Sequence, residues 1–317
     1  MSPTAIPEPA QANEPSAAPK NTQISSNITP LEATGHNNVA LPKIPTFESF
    51  ETRRQWQLEH MVSAFHVFAR EGYAEGISGH ISVRDPEFED RFWINPLAVH
   101  FGMMQVSDLI CLDMKGNVVA GNTSIPANAA GVSIHTACHL ARPDVHAICH
   151  THSPYGRAWS AFARPLEMLS QDACYLYNAH SIYEAFGGIA LSAGEGEQIA
   201  SALGSSSKAC ILQNHGLLTV GGTVDEAAYL FICMERSCRG QLLVEAAAAN
   251  GIPKRLISHE EAEYTFRMAS DPETLYWEFQ PHLRFEEYFV QSGIISKQTG
   301  KVTFGLSLQA KSVHPGP

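Results

Sequence analysis

The chain has 317 residues, 44% of them apolar and 17% charged, with a formal net charge of −11. This supplies a large core for one domain of about 200 to 250 residues plus tails. The acidic balance excludes nucleic acid and anionic membrane as natural partners, because neither polyanion is attracted to such a field, and leaves a small molecule as the expected one.

Residues 1–45 are rich in Pro, Ala, Ser and Asn and too poor in large apolar groups to offset their ordering entropy, so a disordered tail without signal or transit features is expected there. A catalytic domain is expected over residues 46–290. It opens with Trp56, Met61, Phe65 and Phe68 at helical spacing between Phe47 and Glu71, an amphipathic helix that stops near Gly72. Short strands separated by turn signals follow at Gly79–Val83, Arg91–Ile94, Leu109–Leu112 and Val118–Val119, which reads as an antiparallel meander. Ala129–Arg142 reads as a helix closed by Pro143, and the apolar run Val145–Cys149 as a strand. A helix over Glu195–Leu203, a strand over Ala209–Gln213 and a long helix from Asp225 to Asn250 complete the pattern. Helices alternating with strands imply an α/β fold with a central, largely antiparallel sheet covered by helices. Residues 291–317 read as a C-terminal tail in which Val302–Leu306 has strand character. The seven cysteines form no Cys-x-x-Cys pair and several lie in apolar runs, which suits reduced core residues of a cytoplasmic protein. No run reaches the roughly 18 apolar residues of a membrane span.

The chemistry concentrates in His150-Thr151-His152, where an apolar run ends. Residues two apart on a strand project from one face, so two imidazoles share one space. A third, His215, follows the run Ala209–Gln213 in Asn214-His215-Gly216, where a strand gives way to a turn. Three neutral imidazoles can hold one divalent cation and leave a position open for water or substrate. Imidazole suits zinc, iron, copper and nickel alike. Any one of these histidines alone would read as structural; the set reads as a metal site. His135, on an apolar helical face with Val132, reads as core or as a residue orienting a ligand, and His146 as a strand-start residue.

The segments Ile77-Ser78-Gly79-His80-Ile81-Ser82, Ala141-Arg142-Pro143-Asp144-Val145, His150-Thr151-His152-Ser153 and Asn214-His215-Gly216-Leu217-Leu218 resemble the class II aldolase/adducin family from about Trp56 to Asn250. The resemblance implies an α/β/α sandwich, a catalytic divalent metal, usually zinc, on His150, His152 and His215, and a homo-oligomer, commonly a tetramer. Two departures matter. Sugar-phosphate aldolases of the family carry Ser-Ser-Glu where this chain has Ala129-Ala130-Gly131, and an Asn where it has His80. Gly131 can neither take nor give a proton, and Ala129 and Ala130 offer no hydroxyl to a phosphate.

Further stretches, among them Arg91–Pro96, His100-Phe101, Gln171-Asp172-Ala173-Cys174 and Met234-Glu235-Arg236-Ser237-Cys238, are similar to a branch of natural-product decarboxylases and non-haem iron oxygenases. The expected function is therefore a metal-dependent decarboxylase or related carbon–carbon lyase. Its substrate would be a non-phosphorylated, aromatic or polyketide-type oxo or hydroxy acid of secondary metabolism. Loss of carbon dioxide needs an electron sink and then a proton donor, and His80, His100 and Asp172 are the candidates for that donor or for orienting substrate. The alternatives are an Fe(II) oxygenase performing oxidative decarboxylation and an adducin-like binding module without catalysis.

Overall fold

The computed structural model describes residues 28–188 and 193–291. Eight strands form one sheet: β1 (His80–Arg84), β2 (Arg91–Ile94), β3 (Ile110–Asp113), β4 (Val118–Gly121), β5 (Ala147–Thr151), β6 (His180–Tyr183), β7 (Ala209–Leu212) and β8 (Gly216–Gly221). Their order is β4-β3-β2-β1-β5-β8-β7-β6, and every pairing is antiparallel except β6 with β7. The largely antiparallel sheet and the meander β1–β4 thus appear as the sequence implies. The helices are α1 (Pro30–Thr34), α2 (Phe50–Arg70), α3 (Ala129–Ala141), α4 (Pro154–Ser160), α5 (Ala193–Leu203), α6 (Val224–Ala249), α7 (His259–Ala269) and α8 (Pro272–Gln291).

Strand alternation divides the core into two layers. Ile81, Val83, Ala147, Cys149, Ile211 and Leu217 pack with α2, α6 and α8, where Phe65, Phe68, Phe231 and Phe279 are wholly buried. Each of those rings contributes about 1.5–3 kcal/mol through burial. On the other face Ile148, Cys210, Leu212, Leu218 and Val220 pack with Ile134 and Cys138 of α3 and Ile199 and Leu203 of α5. The result is a helix–sheet–helix sandwich.

Two differences from the sequence-based expectations have local causes. The tail expected through residue 45 carries structure at its inner end: Thr29 and Glu32 form a reciprocal capping box on α1, and Leu31 is buried. Further on, the Trp277 indole donates to the Pro42 carbonyl at 2.6 Å. Residues 1–27 and the strand character of Val302–Leu306 lie outside the described residues. The strand expected over Val145–Cys149 is also shifted: β5 runs Ala147–Thr151, and His152 stands just beyond it.

One close approach sets the far edge of the site. A β-carbon at Gly216 would stand 2.6 Å from the Thr151 carbonyl oxygen, so only glycine lets the start of β8 lie against the end of β5. At Gly222 the nearest atom is the tip of the Glu226 carboxylate, 3.6 Å away. Gly216→Ala is expected to cost about 2 kcal/mol through overpacking against backbone, whereas Gly222→Ala stays near neutral. Urea-denaturation midpoints of the two variants check this difference.

Candidate metal centre

His150 lies within β5, paired with Leu218 of β8 and with His80 of β1. His215 sits in the three-residue connection between β7 and β8, where Asn214 takes the left-handed conformation (φ 55°) that Asn tolerates better than most residues. The His215 N–H closes the turn on the Leu212 carbonyl at 3.0 Å. The ligand atoms of His150, His152 and His215 all lie within 4.8 Å of one another. Ring centroids are 4.8 Å apart for His150–His215 and His152–His215, and 5.3 Å for His150–His152.

The donor set fits a divalent cation. His150 is fully buried, and its Nδ1 donates to the Leu217 carbonyl at 2.8 Å. That bond fixes the tautomer and leaves Nε2 as a bare lone pair, which has no protein partner. Burial, reinforced by the neighbouring imidazoles, holds the His150 pKa well below the usual histidine range. His215 is pushed down to about 4 by burial and then by His152, and His152 is lowered by burial and by Arg157. All three are therefore neutral near pH 7, the state a metal requires.

Glu235 of α6 braces the turn after His152. Its buried carboxylate accepts from Ser153 Oγ (2.5 Å) and from the backbone N–H groups of Tyr155 (2.7 Å) and Gly156 (2.5 Å), capping the first turn of α4. Burial raises its pKa, against the opposing pull of these three donors.

The remaining candidates separate. His80 joins the cluster, its ring stacked on His150 at 5.3 Å and meeting His135 edge-on at 5.4 Å. Burial and the surrounding histidines hold its pKa well below the usual range. His100 is exposed; its Nδ1 accepts from the Gly102 N–H at 3.1 Å, capping a short 3-10 turn. Asp172 is exposed at the start of another 3-10 turn, Asp172–Leu176, with its carbonyl accepting from Cys233 Sγ. Among the described residues no contact joins His100 or Asp172 to the three imidazoles. Arg84 is buried and directed at backbone carbonyls. His146 precedes β5 and stays outside the cluster.

Ser82 and His139 escaped the sequence reading. Ser82 Oγ bridges His135 Nδ1 (2.6 Å) and His139 Nε2 (2.9 Å) beneath the site. The signal was a match of periods. Gly131, His135 and His139 step by four along α3, about 6 Å per step, while His80, Ser82 and Arg84 step by two along β1, about 6.6 Å per step. The two stripes face one another, and a β-carbon at Gly131 would stand 2.6–2.8 Å from the His80 ring. At the start of α3 the Asn128 side chain accepts the N–H groups of Ala130 (3.0 Å) and Gly131 (3.3 Å).

Residues 59–242 match the family described as Class II Aldolase and Adducin N-terminal domain. The Meiotically up-regulated gene 14 protein of Schizosaccharomyces pombe is 44% identical over 243 residues, which is 77% of this chain and 93% of that protein. Decarboxylase NovR of Streptomyces niveus is 42% identical over 206 residues, 64% of this chain and 75% of its own. The 4-hydroxy-3-prenylphenylpyruvate oxygenase/4-hydroxy-3-prenylbenzoate synthase of Streptomyces roseochromogenus subsp. oscitans is 42% identical over 213 residues, 66% and 76% of the two chains. Among solved structures, L-fuculose 1-phosphate aldolase from Glaciozyma antarctica PI12 superposes with a TM-score of 0.71 at 39% identity, covering 79% of this chain and 96% of that one.

Two measurements follow from the site. Glu235→Ala leaves Ser153 and two N–H groups without their acceptor and is expected to weaken zinc binding by about 10- to 100-fold, read by competition with a chromophoric chelator. His135 and His139 are both pushed down to about 3, chiefly by burial, from 6.5. The unfolded chain binds their two protons below pH 6.5 while the folded chain does not until near pH 3. Stability should thus be full above about pH 6.5 and fall with acid by up to about 2.7 kcal/mol per pH unit from this pair. A urea midpoint that stays level from pH 7.5 to pH 5 would contradict it.

Proposed function

The chain belongs to the class II aldolase and adducin family, and we propose that within it this protein is a metal-dependent carbon–carbon lyase. It decarboxylates a non-phosphorylated, aromatic or polyketide-type oxo or hydroxy acid of secondary metabolism. The observation that carries this reading is the His80 ring lying over Gly131, beside the three imidazoles. Where sugar-phosphate aldolases place an acid/base glutamate, this chain has no side chain, and an imidazole fills the volume.

His150, His152 and His215 would hold the metal, with zinc the first choice and Fe(II) the alternative. Held there, such a cation would supply Lewis-acid chemistry, withdrawing electron density from a substrate oxygen next to the breaking bond. The protein's own residues do the rest. His150 is oriented by the Leu217 carbonyl, and His152 by the turn that Glu235 caps. His80 contacts the reacting region from the α3 side, while His100 and Asp172, exposed and away from the three imidazoles, would act only by orienting a substrate that reaches out to them. Discrimination against phosphorylated sugars is supported at the start of α3. Ala129 and Ala130 have no hydroxyls, and Asn128 already takes two of the N–H groups that would otherwise attract an anion.

Similarity to Decarboxylase NovR supports the lyase. The oxygenase named among the relatives, equally identical, supports a second reading in which Fe(II) and dioxygen make the decarboxylation oxidative. A cytoplasmic homo-tetramer acting on a small organic acid accompanies either reading. No helix of the described residues is long and apolar enough to cross a membrane.

Protein purified without oxygen, loaded with Zn(II) or Fe(II) and given a panel of aromatic oxo and hydroxy acids, tests this. Carbon dioxide release with zinc and no oxygen is the expected result. Turnover only with iron and oxygen would transfer the reading to the oxygenase, and a folded protein inert with both metals would leave a binding module. His150→Ala with His152→Ala should abolish metal retention and turnover while circular dichroism stays unchanged.

A further inference from the structure

Behind the metal centre lies a buried polar chain that the lyase reading does not use. His139 is fully enclosed, with Nδ1 3.4 Å from the Val145 carbonyl. The neighbouring Arg84 directs Nε at Val145, Nη1 at the Glu89 carbonyl and Nη2 at the carbonyls of His139 (2.8 Å) and Arg142 (3.4 Å). Nη2 also lies 3.4 Å from His139 Nδ1. Both Nη2 hydrogens have carbonyl acceptors, which leaves His139 Nδ1–H to donate to Val145.

The polarity of the rest follows from counting hydrogens. Burial holds His135 and His139 neutral, with one N–H each. If His139 donates through Nδ1, its Nε2 accepts from the Ser82 hydroxyl at 2.9 Å. Ser82 Oγ has then spent its hydrogen and accepts from His135 Nδ1–H at 2.6 Å. His135 Nε2 is left as a lone pair, wholly buried and without a protein partner. The ring it meets edge-on is His80, only 4% exposed, whose Nδ1 is likewise buried and unpartnered. A hydrogen on His80 Nδ1 would answer the His135 lone pair, either directly or through one water that accepts from His80 and donates to His135.

We propose that Ser82, His135 and His139 act as positioning residues that hold His80 in its Nδ1–H tautomer, so that His80 presents an accepting Nε2 beside Gly131. That edge lies 2.8 Å from where a β-carbon at 131 would stand. His80 then receives a hydrogen from whatever polar group meets it there, and the proton donor of the lyase is a different group. The assignment builds on His80 as part of the proposed site, but it concerns proton positions and is read without turnover, so it and the lyase reading fail separately.

Neutron diffraction from deuterium-exchanged crystals of the full chain, grown with zinc, tests it. Deuterons on Nδ1 of His80, His135 and His139, with none on their Nε2 atoms, are expected. A deuteron on Nε2 of His135 or His80 would overturn the proposal. In solid-state 15N spectra of histidine-labelled protein, the bare Nε2 signal of His80, assigned by its loss in His80→Gln, should be single. Ser82→Ala should split it between two tautomers, and Ser82→Thr, which keeps the hydroxyl, should restore one. An unchanged single signal in a folded Ser82→Ala variant would remove the chain from any positioning role.

Discussion

Burying uncharged imidazoles is the constraint on which the site rests. A neutral imidazole has one N–H and one lone pair, and once it is sealed from water each needs a partner or a purpose. His150 gives its N–H to the Leu217 carbonyl across the β5–β8 ladder, and this aims its lone pair at the space shared with His152 and His215. His139 and the Nδ1 edge of His135 are joined in series through Ser82, which leaves His135 Nε2 as the one unpartnered atom of the three residues. The same backbone ladder that builds the sheet therefore orients His150, and rotation of its ring would strand a polar group in the interior.

The second constraint is geometric. A four-residue step along a helix and a two-residue step along a strand differ by only about 0.6 Å, so α3 can lie along β1 with side chains in register over three positions. Gly131 meets His80 at the first position and His135 meets Ser82 at the second. The exchange of a carboxylate for glycine and of an amide for histidine, compared with sugar-phosphate aldolases, thus reads as one coupled change in volume. A side chain at 131 and the ring at 80 cannot occupy the same place.

Beyond the strands, rigidity comes from specific braces. Glu235 reaches from α6 to three donors just after His152, and Gly216 allows two backbones to approach where His215 must be held. Together they give the two ligands outside regular strands the fixed geometry that His150 obtains from the ladder.

Periodicity made the layered α/β architecture, the meander and the α2, α3 and α6 helices legible, because alternation and helical spacing record which face each residue buries. The spacing of His150 and His152 and the turn at His215 were legible for the same local reason, and the motifs around them identified the family. Tertiary structure alone decided which other polar residues share the site. Ser82 and His139 are 57 positions apart and touch only because α3 lies along β1. Glu235 is brought to Ser153 across 82 positions. His100 and Asp172, plausible by residue type, face outward in separate 3-10 turns. Local pattern reports the faces of elements; which faces meet depends on packing across the whole core, and hydrogen-bond partners follow from that.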